Sequence, residues 1–184
     1  ESTGSLVRHV PSAKVLLCGM LSWVLWDEVI HLAAMGLDLM AQENDWKRFG
    51  LRPGPLETLD HQGLIFATRM EKAWRSAGME NPLPWAKEMV EAGFGGWPGR
   101  KGILIRLAGR HVANPLALNR IRKIYQETKP DPDPIWQALA RAGRLREGRE
   151  RVFLRLASAA ATLYQGLGIS EAEFDALLVA GMGW

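Results

Sequence analysis

Arginine is the residue in this chain whose number and placement most directly suggest a chemistry. The chain has 184 residues and 23 Lys and Arg, of which 14 fall between Arg100 and Arg155 beside only five acids. That segment has a net charge of +9, so the rest of the chain sums to −6 within an overall charge of +3. Eleven of the 14 are arginine, whose planar guanidinium binds phosphate oxygens in pairs and stays charged when water is removed. The pattern indicates contact with a polyanion, most often nucleic acid.

The expected nucleic-acid contacts are thirteen basic residues. They are Arg100, Lys101, Arg106, Arg110, Arg120, Arg122, Lys123, Arg141, Arg144, Arg146, Arg149, Arg151 and Arg155. Trp136 and Phe153 lie close to the densest part of this set and could stack on unpaired bases. One alternative is a solvated helix face on which Glu147 and Glu150 pair with arginines one turn away. The other is a face that binds an acidic protein.

Arg106 and His111 suggest a second chemistry. Their R-x4-H spacing resembles that of HEPN ribonucleases, in which the histidine would act as general acid or base and the arginine would hold the scissile phosphate. Leu107 stands where that family usually has a polar residue. On this hypothesis His111→Ala would abolish the activity.

Two further pairs have the residue types of metal or hydrolase sites. Glu28 and His31 have the i,i+3 spacing of di-iron helical bundles, but the chain has no second copy of Glu-x-x-His, which favours a polar helix–helix contact. Asp60-His61 reverses the order of the HD phosphohydrolases, and a helix start with Asp60 in the first turn accounts for it. We therefore expect no metal, no cofactor and no enzymatic activity.

The helices that would position these residues are marked by caps and breakers. We predict a first helix from Ser12 to about Gln42, with possible kinks at Gly19 and Gly36, before a stop at residues 52–55 (RPGP). A second helix is predicted over Glu57–Ala77.

The second half of the chain has equally clear helix signals. A short helix is predicted to open at residues 81–84 (NPLP) and close at Gly93. Asn114-Pro115 begins a helix to about Thr128, and residues 129–134 (KPDPDP) form a stiff linker whose end caps the next helix. Ser170 and Glu173 form a capping box for the last helix. Residues 101–107 (KGILIRL) are the one strand candidate, without a partner run.

These signals predict an all-α fold of seven to eight helices. Residues 6–92 would form an acidic, Trp-rich subdomain and residues 100–184 a basic one, with a hinge at 93–102, unless both halves behave as a single domain. Most of the eight tryptophans are expected in the core, namely Trp23, Trp26, Trp46, Trp74 and Trp85, whereas Trp97 and Trp184 are candidates for interfaces or base stacking.

The apolar run and the cysteine count indicate the cellular compartment. Residues 15–26 (VLLCGMLSWVLW) form a 12-residue apolar run that ends at Asp27 and Glu28, well short of the ~20 residues that span a bilayer. The single cysteine fits a reducing compartment. We expect a cytoplasmic protein with no membrane partner.

Two family resemblances fall in the C-terminal part. Residues 138–153 (ALARAGRLREGRERVF) and 169–184 (ISEAEFDALLVAGMGW) resemble the small helical subunit of type I CRISPR Cascade complexes. Residues 146–178 are also similar to the helical C-terminal domain of phage and plasmid primases, with Glu150 where that family has Asn. Both resemblances imply a helical module that touches a nucleic-acid backbone without chemistry of its own.

The sequence therefore predicts a non-catalytic, helical subunit of a larger nucleoprotein complex. It would bind RNA or DNA through the backbone and contact other protein subunits. The main alternative is a protein–protein adaptor whose tryptophans line subunit interfaces, and a remote one is the R-x4-H ribonuclease.

Overall fold

The described part of the chain folds into helices around the first helix, whose residues 20–35 are mostly buried, with a small hairpin at the side. The computed structural model describes residues 10–69, 83, 85–96, 101–128, 134–167 and 170–182. Its labelled helices are α1 (Val10–Met35), α2 (Leu39–Phe49), α3 (Pro55–Gln62), α4 (Ala86–Glu91), α5 (Pro115–Thr128), α6 (Pro134–Arg141), α7 (Leu145–Leu167) and α8 (Glu171–Met182). Residues 64–69 are also helical. The strands are β1 (Leu104–Leu107) and β2 (Arg110–Ala113). The prediction of a mostly helical fold is confirmed, but the described residues contain nine helical segments instead of the predicted seven to eight, together with a small hairpin.

The first predicted helix is in fact two helices. Gly36 has a φ of +118°, a left-handed conformation that ends a helix and that glycine adopts without steric cost. Asp38 then caps α2 by accepting a hydrogen bond from the backbone N–H of Ala41 at 2.6 Å. The prediction of one helix to Gln42 was therefore wrong, because the glycine terminates the helix instead of bending it.

The second predicted helix is also divided. It begins at Pro55, two residues earlier than predicted, and ends at Gln62. Gly63 has a φ of +81° and separates α3 from the helical residues 64–69. Residues 70–77 lie outside the described part of the chain.

The capping signals in the second half are confirmed. Asn114 Oδ1 accepts from the backbone N–H of Leu116 at the start of α5. Ser170 and Glu173 exchange the hydrogen bonds of a capping box before α8. The short helix α4 closes before Gly93, which has a φ of +88°. Within the predicted linker, residues 129–133 lie outside the described residues.

The β-hairpin corrects the expectation that residues 101–107 have no partner. β1 and β2 are antiparallel, with Leu104 opposite Ala113 and Arg106 opposite His111. Ala108 and Gly109 form the two-residue turn, and both have positive φ, as hairpin turns of type I′ require. Because β2 begins with two exposed polar residues, it lacks the apolar alternation that marks a strand in sequence.

The apolar core surrounds α1 and includes residues from both halves of the chain. Trp23, Trp26, Trp46 and Trp85 are all buried, which confirms their predicted place. Ile121 and Val152, from the basic half, belong to the same buried cluster. Trp74, Trp97 and Trp184 lie outside the described residues. The division at 93–102 stays a prediction, although the two halves share this core.

Two adjacent carboxylates on α1 bind groups from later helices. Asp27 Oδ1 accepts from Trp85 Nε1 at 2.9 Å and from the Tyr125 hydroxyl at 2.7 Å. Glu28, which is buried, forms ion pairs with Arg151 and Arg155 of α7. Burial first, and the Asp27 charge second, raise the pKa of Tyr125 well above its ordinary value. These contacts attach α5 and α7 to α1.

In the described part of the chain, no helix combines the length and the apolar character needed to cross a membrane.

We expect Glu28→Gln to lower the free energy of unfolding by about 3 kcal/mol, because it leaves two guanidinium groups without their buried counter-charge. The measurement is urea unfolding followed by tryptophan fluorescence. The matched control is Glu150→Gln, whose carboxylate pairs with Arg146 on the exposed face of α7 and should change stability by less than about 0.5 kcal/mol. Equal effects of the two substitutions would contradict this interpretation of Glu28.

Candidate functional site

The predicted basic residues fall into an inward set and an outward set. The inward set pairs with acids on other elements: Arg149 with Asp45 of α2, Arg151 and Arg155 with Glu28 of α1, and Arg120 with Glu88 of α4. Arg151 is only 18% exposed. For much of this set the guanidinium therefore holds helices together, which composition alone could not indicate.

The outward set remains accessible on the surface. It consists of Lys101, Arg106, Arg110, Arg122, Lys123, Arg141, Arg144 and Arg146, all exposed. Lys123 and Arg146 pair with acids of their own helices, and Arg144, which precedes α7, pairs with Glu147 of α7, as the solvated-face alternative expected for α7. Such exposed ion pairs contribute little to the free energy of folding, and the basic side chain readily exchanges its acid for water or another anion. Arg100 lies outside the described residues.

An aromatic cluster joins α2 to α7 within this basic surface. Phe49, at the end of α2, is 56% exposed. Its ring meets those of Trp46 and Phe153 at centroid distances of 6.1 and 5.3 Å. The Arg149 guanidinium lies 5.1 Å from the Phe49 centroid, within range of a cation–π contact. We call Phe49, Phe153 and Arg149, with their exposed neighbour Arg146, the aromatic–arginine platform.

Sequence reasoning missed Phe49. The signal was present at residues 46–49 (WKRF), where two aromatic residues flank a Lys-Arg pair at helical spacing. Trp46 and Phe49, three residues apart, lie on one face of a helix. The predicted stacking residue Phe153 does lie in the cluster, whereas the side chain of Trp136 is not described.

A second candidate site lies between α3 and the hairpin, and a buried carboxylate positions it. Glu43, fully buried on α2, accepts from the backbone N–H groups of Leu56 (2.9 Å) and Glu57 (3.3 Å) at the start of α3. Burial raises the pKa of Glu43, and these hydrogen bonds partly oppose the rise. Gly54 allows the approach, since a Cβ there would overlap the Glu43 carboxylate.

Asp60 fastens the hairpin to α3. Its two carboxylate oxygens accept from the backbone N–H groups of Ile103 (2.8 Å) and Leu104 (2.6 Å). Burial raises the Asp60 pKa, while the two backbone bonds lower it by less. The prediction that Asp60 occupies the first turn of a helix was wrong, because α3 begins at Pro55 and Asp60 is in its second turn.

A cavity of about 330 Å³ opens where α3 meets the hairpin. It is lined by Glu57, Asp60, His61, Gly96, Gly102, Leu104, Ile105, Arg106 and His111. The structure therefore brings both residues of the R-x4-H pattern to one cavity, as direct cross-strand neighbours. They lie on strands rather than on a helix, and ribonuclease activity stays a prediction.

Glu57 connects the cavity to α2. His111 Nδ1 lies 2.7 Å from Glu57 Oε1, and Lys47 Nζ of α2 lies 2.5 Å from the same oxygen. Because a carboxylate only accepts, the hydrogen is assigned to Nδ1 of the histidine. Burial alone would raise the pKa of Glu57, but the hydrogen bonds from Lys47 and His111 outweigh it and lower that pKa below 4.5.

The Glu28-x-x-His31 pair forms a polar helix–helix contact. Glu28 binds arginines, and the His31 ring stacks on Tyr125 at 5.1 Å. Among the residues that the structure describes, no three His, Cys, Asp or Glu side chains are grouped so that they could hold a metal ion.

Comparison with known proteins adds no family, because no protein family, curated protein or solved structure matches the chain.

We expect Gly54→Ala to destabilise the chain by about 1–3 kcal/mol, because the new methyl group would displace Glu43 from the start of α3. Gly19→Ala is the control: a Cβ there meets nothing within 4 Å, and alanine in a helix interior should stabilise by about 0.5–1 kcal/mol. Thermal unfolding by circular dichroism measures both. Unchanged stability of Gly54→Ala would show that Glu43 does not hold α3 as described.

The lowered pKa of Glu57 predicts a pH-dependent stability. Between the folded and unfolded pKa values the unfolded chain binds more protons, so this contribution is present above about pH 4.5 and is lost as the pH falls through the folded pKa. Wild type should therefore be more stable than Glu57→Gln at pH 6, and the difference should shrink below pH 4.5. Urea unfolding at several pH values measures it. Glu91→Gln, which removes an exposed carboxylate near Lys87, should give a difference near zero throughout.

Proposed function

We propose that this chain is a non-catalytic subunit of a larger nucleoprotein complex and binds single-stranded nucleic acid, RNA or DNA, on the aromatic–arginine platform. The observation that carries the proposal is the exposed Phe49 ring, supported by Phe153 and flanked by Arg149. An aromatic face within a basic surface is the arrangement on which proteins stack unpaired bases while binding the phosphates between them. A ring buried in the core could not do this.

The phosphate contacts come from the outward arginines at the start of α7. Arg146 is 80% exposed and Arg144 is 56% exposed. Each pairs with an acid of α7, and a phosphate could replace that acid at little free-energy cost because the pair is solvated. Arg149 contributes by holding Phe49 in place, since its own charge is matched by Asp45 at 2.5 Å.

The mode of binding favours backbone recognition over sequence reading. A phenylalanine face accepts any base, and guanidinium groups bind phosphates that are the same at every position. Membership of a larger complex is supported by the resemblance of residues 138–153 and 169–184 to the Cascade small subunit, and in part by the primase resemblance. Both families use such helical modules beside nucleic acid.

A second candidate is a protein–protein adaptor. Among the described residues, four large apolar side chains are 60–70% exposed, namely Leu107, Leu116, Ile135 and Leu154. Exposed apolar side chains favour protein contacts when they are contiguous. The adaptor would show little affinity for generic oligonucleotides.

We expect labelled 30-mer single-stranded DNA and RNA to bind with an affinity that falls steeply with salt, by fluorescence anisotropy at low and moderate ionic strength. Phe49→Ala should weaken binding by about 1–2 kcal/mol, or roughly 5- to 30-fold, because it removes the stacking surface. Arg144→Gln with Arg146→Gln should flatten the dependence of log affinity on log salt by roughly 0.7 for each phosphate that the protein no longer neutralises.

The control for stacking is Phe66→Ala. Phe66 is also partly exposed, at 44%, but its ring packs on Trp23 and is not part of the platform. The substitution should leave affinity within about twofold of wild type, since it removes no stacking surface from the platform. Absence of binding at low salt, or equal effects of Phe49→Ala and Phe66→Ala, would remove the proposal and favour the adaptor.

A further inference from the structure

The cavity between α3 and the hairpin takes no part in the proposed function. Its polar lining consists of two carboxylates, two histidines and one arginine. Its apolar wall includes Leu104 and Ile105. At about 330 Å³, the cavity is at the lower end of the sizes that take small molecules, and a few converging polar groups on an apolar wall are typical of such sites.

The carboxylates of the cavity already have donors. Asp60 accepts from two backbone N–H groups of the hairpin. Glu57 accepts from Lys47 and from His111. Both donors of Glu57 meet its Oε1, and each Asp60 oxygen accepts one backbone N–H. Lys47 offsets the charge of Glu57, whereas the backbone donors stabilise the Asp60 carboxylate without neutralising it.

The arginine of the cavity is in the opposite situation. Arg106 is exposed and makes no ion pair with any residue that the structure describes. It is directly opposite His111 in the ladder, so the Cβ atoms of the two are about 5 Å apart on the same face of the hairpin. This separation allows both side chains to reach one anion.

His111 is oriented for such a role. Its Nδ1 is bound to Glu57, which leaves Nε2 as the ring nitrogen that can meet a ligand. In the imidazolium form both ring nitrogens donate, so one can bind Glu57 while the other binds a phosphate oxygen. Lys47 matches part of the Glu57 charge, which reduces the repulsion between that carboxylate and an incoming anion.

We propose that the cavity binds a phosphomonoester through Arg106 and His111, with Glu57 as the residue that positions the imidazole and with Leu104, on the same face of the hairpin, contacting the organic part of the ligand. The guanidinium supplies a paired, charge-assisted contact to the phosphate oxygens. The ligand is either a free nucleotide-sized phosphomonoester or the phosphorylated end of a nucleic-acid strand. The site does not depend on the aromatic–arginine platform.

The test is titration of the full chain with adenosine 5′-monophosphate and with inorganic phosphate, followed by the backbone amide signals of residues 101–113 in ¹H–¹⁵N NMR spectra. We expect saturable shifts with the nucleotide and weaker binding of inorganic phosphate. Arg106→Gln should weaken nucleotide binding by about tenfold or more, as expected when a charged hydrogen-bond donor is removed. The matched control is Arg110→Gln, which removes an exposed arginine from the other face of the same hairpin and should change the affinity by less than about twofold.

The proposal is overturned if neither millimolar nucleotide nor a 5′-phosphorylated oligonucleotide shifts these amides, or if Arg106→Gln and Arg110→Gln weaken binding equally. If Arg106→Gln unfolds, the wild-type titration still tests the proposal, because ligand binding in the cavity must shift the amide signals of residues 101–113 most. The two ligand sources are separated with one oligonucleotide prepared with a 5′-phosphate and with a 5′-hydroxyl. Shifts that require the phosphorylated strand identify a strand end, and shifts with the mononucleotide alone identify a free ligand. Phe49→Ala should leave mononucleotide binding intact, so failure of the platform and failure of the cavity give different results.

Discussion

The pair of carboxylates at Asp27 and Glu28 is the interaction on which the rest of the structure depends. They interrupt the mostly buried, apolar part of α1 at residues 20–35, and a charge in such a position is tolerated only when it is matched. Asp27 is matched by hydrogen bonds from Trp85 and Tyr125, and Glu28 by two arginines of α7. Apolar contacts alone would allow several arrangements of helices against α1. The donors to Asp27 and Glu28 can reach these carboxylates in only one of them. The pair therefore specifies how α5 and α7 lie against α1.

Three further carboxylates position the hairpin and its cavity. Glu43 holds the start of α3, Glu57 binds Lys47 and His111, and Asp60 fixes the first residues of β1. Glu43 and Lys47 join the consecutive helices α2 and α3, whereas the contacts of Glu57 and Asp60 with the hairpin span more than 40 residues of sequence. All of these contacts involve a helix of eight residues. A helix that short has little stability of its own. Its position is set by tertiary contacts, and these contacts therefore also set the position of the cavity that it lines.

The basic segment shows how charge counts and charge placement differ. The excess of arginine between residues 100 and 155 suggested one continuous face, yet Arg149, Arg151 and Arg155 reach acids of the N-terminal half. The opposite net charges of the two halves therefore serve partly to hold those halves together. What remains for a partner is a smaller set at the start of α7, on α5 and on the hairpin, and of this set Arg144 and Arg146 are nearest in the chain to the aromatic surface of α7.

The sequence by itself determined the features whose cause is local. Helix ends at Gly93, Asn114 and Ser170 could be located because a cap or a left-handed glycine acts within one turn. Burial of four tryptophans could also be expected, since their large apolar area rarely stays in water. Only the tertiary structure decided the rest. Asp60 binds the start of β1, which is the partner strand of β2. Glu28 is paired with arginines more than a hundred residues away. Phe49 stays partly exposed because α7 buries Trp46 but covers only part of the neighbouring ring. Such contacts depend on which surfaces meet after the chain collapses, and no local pattern of residues encodes that meeting.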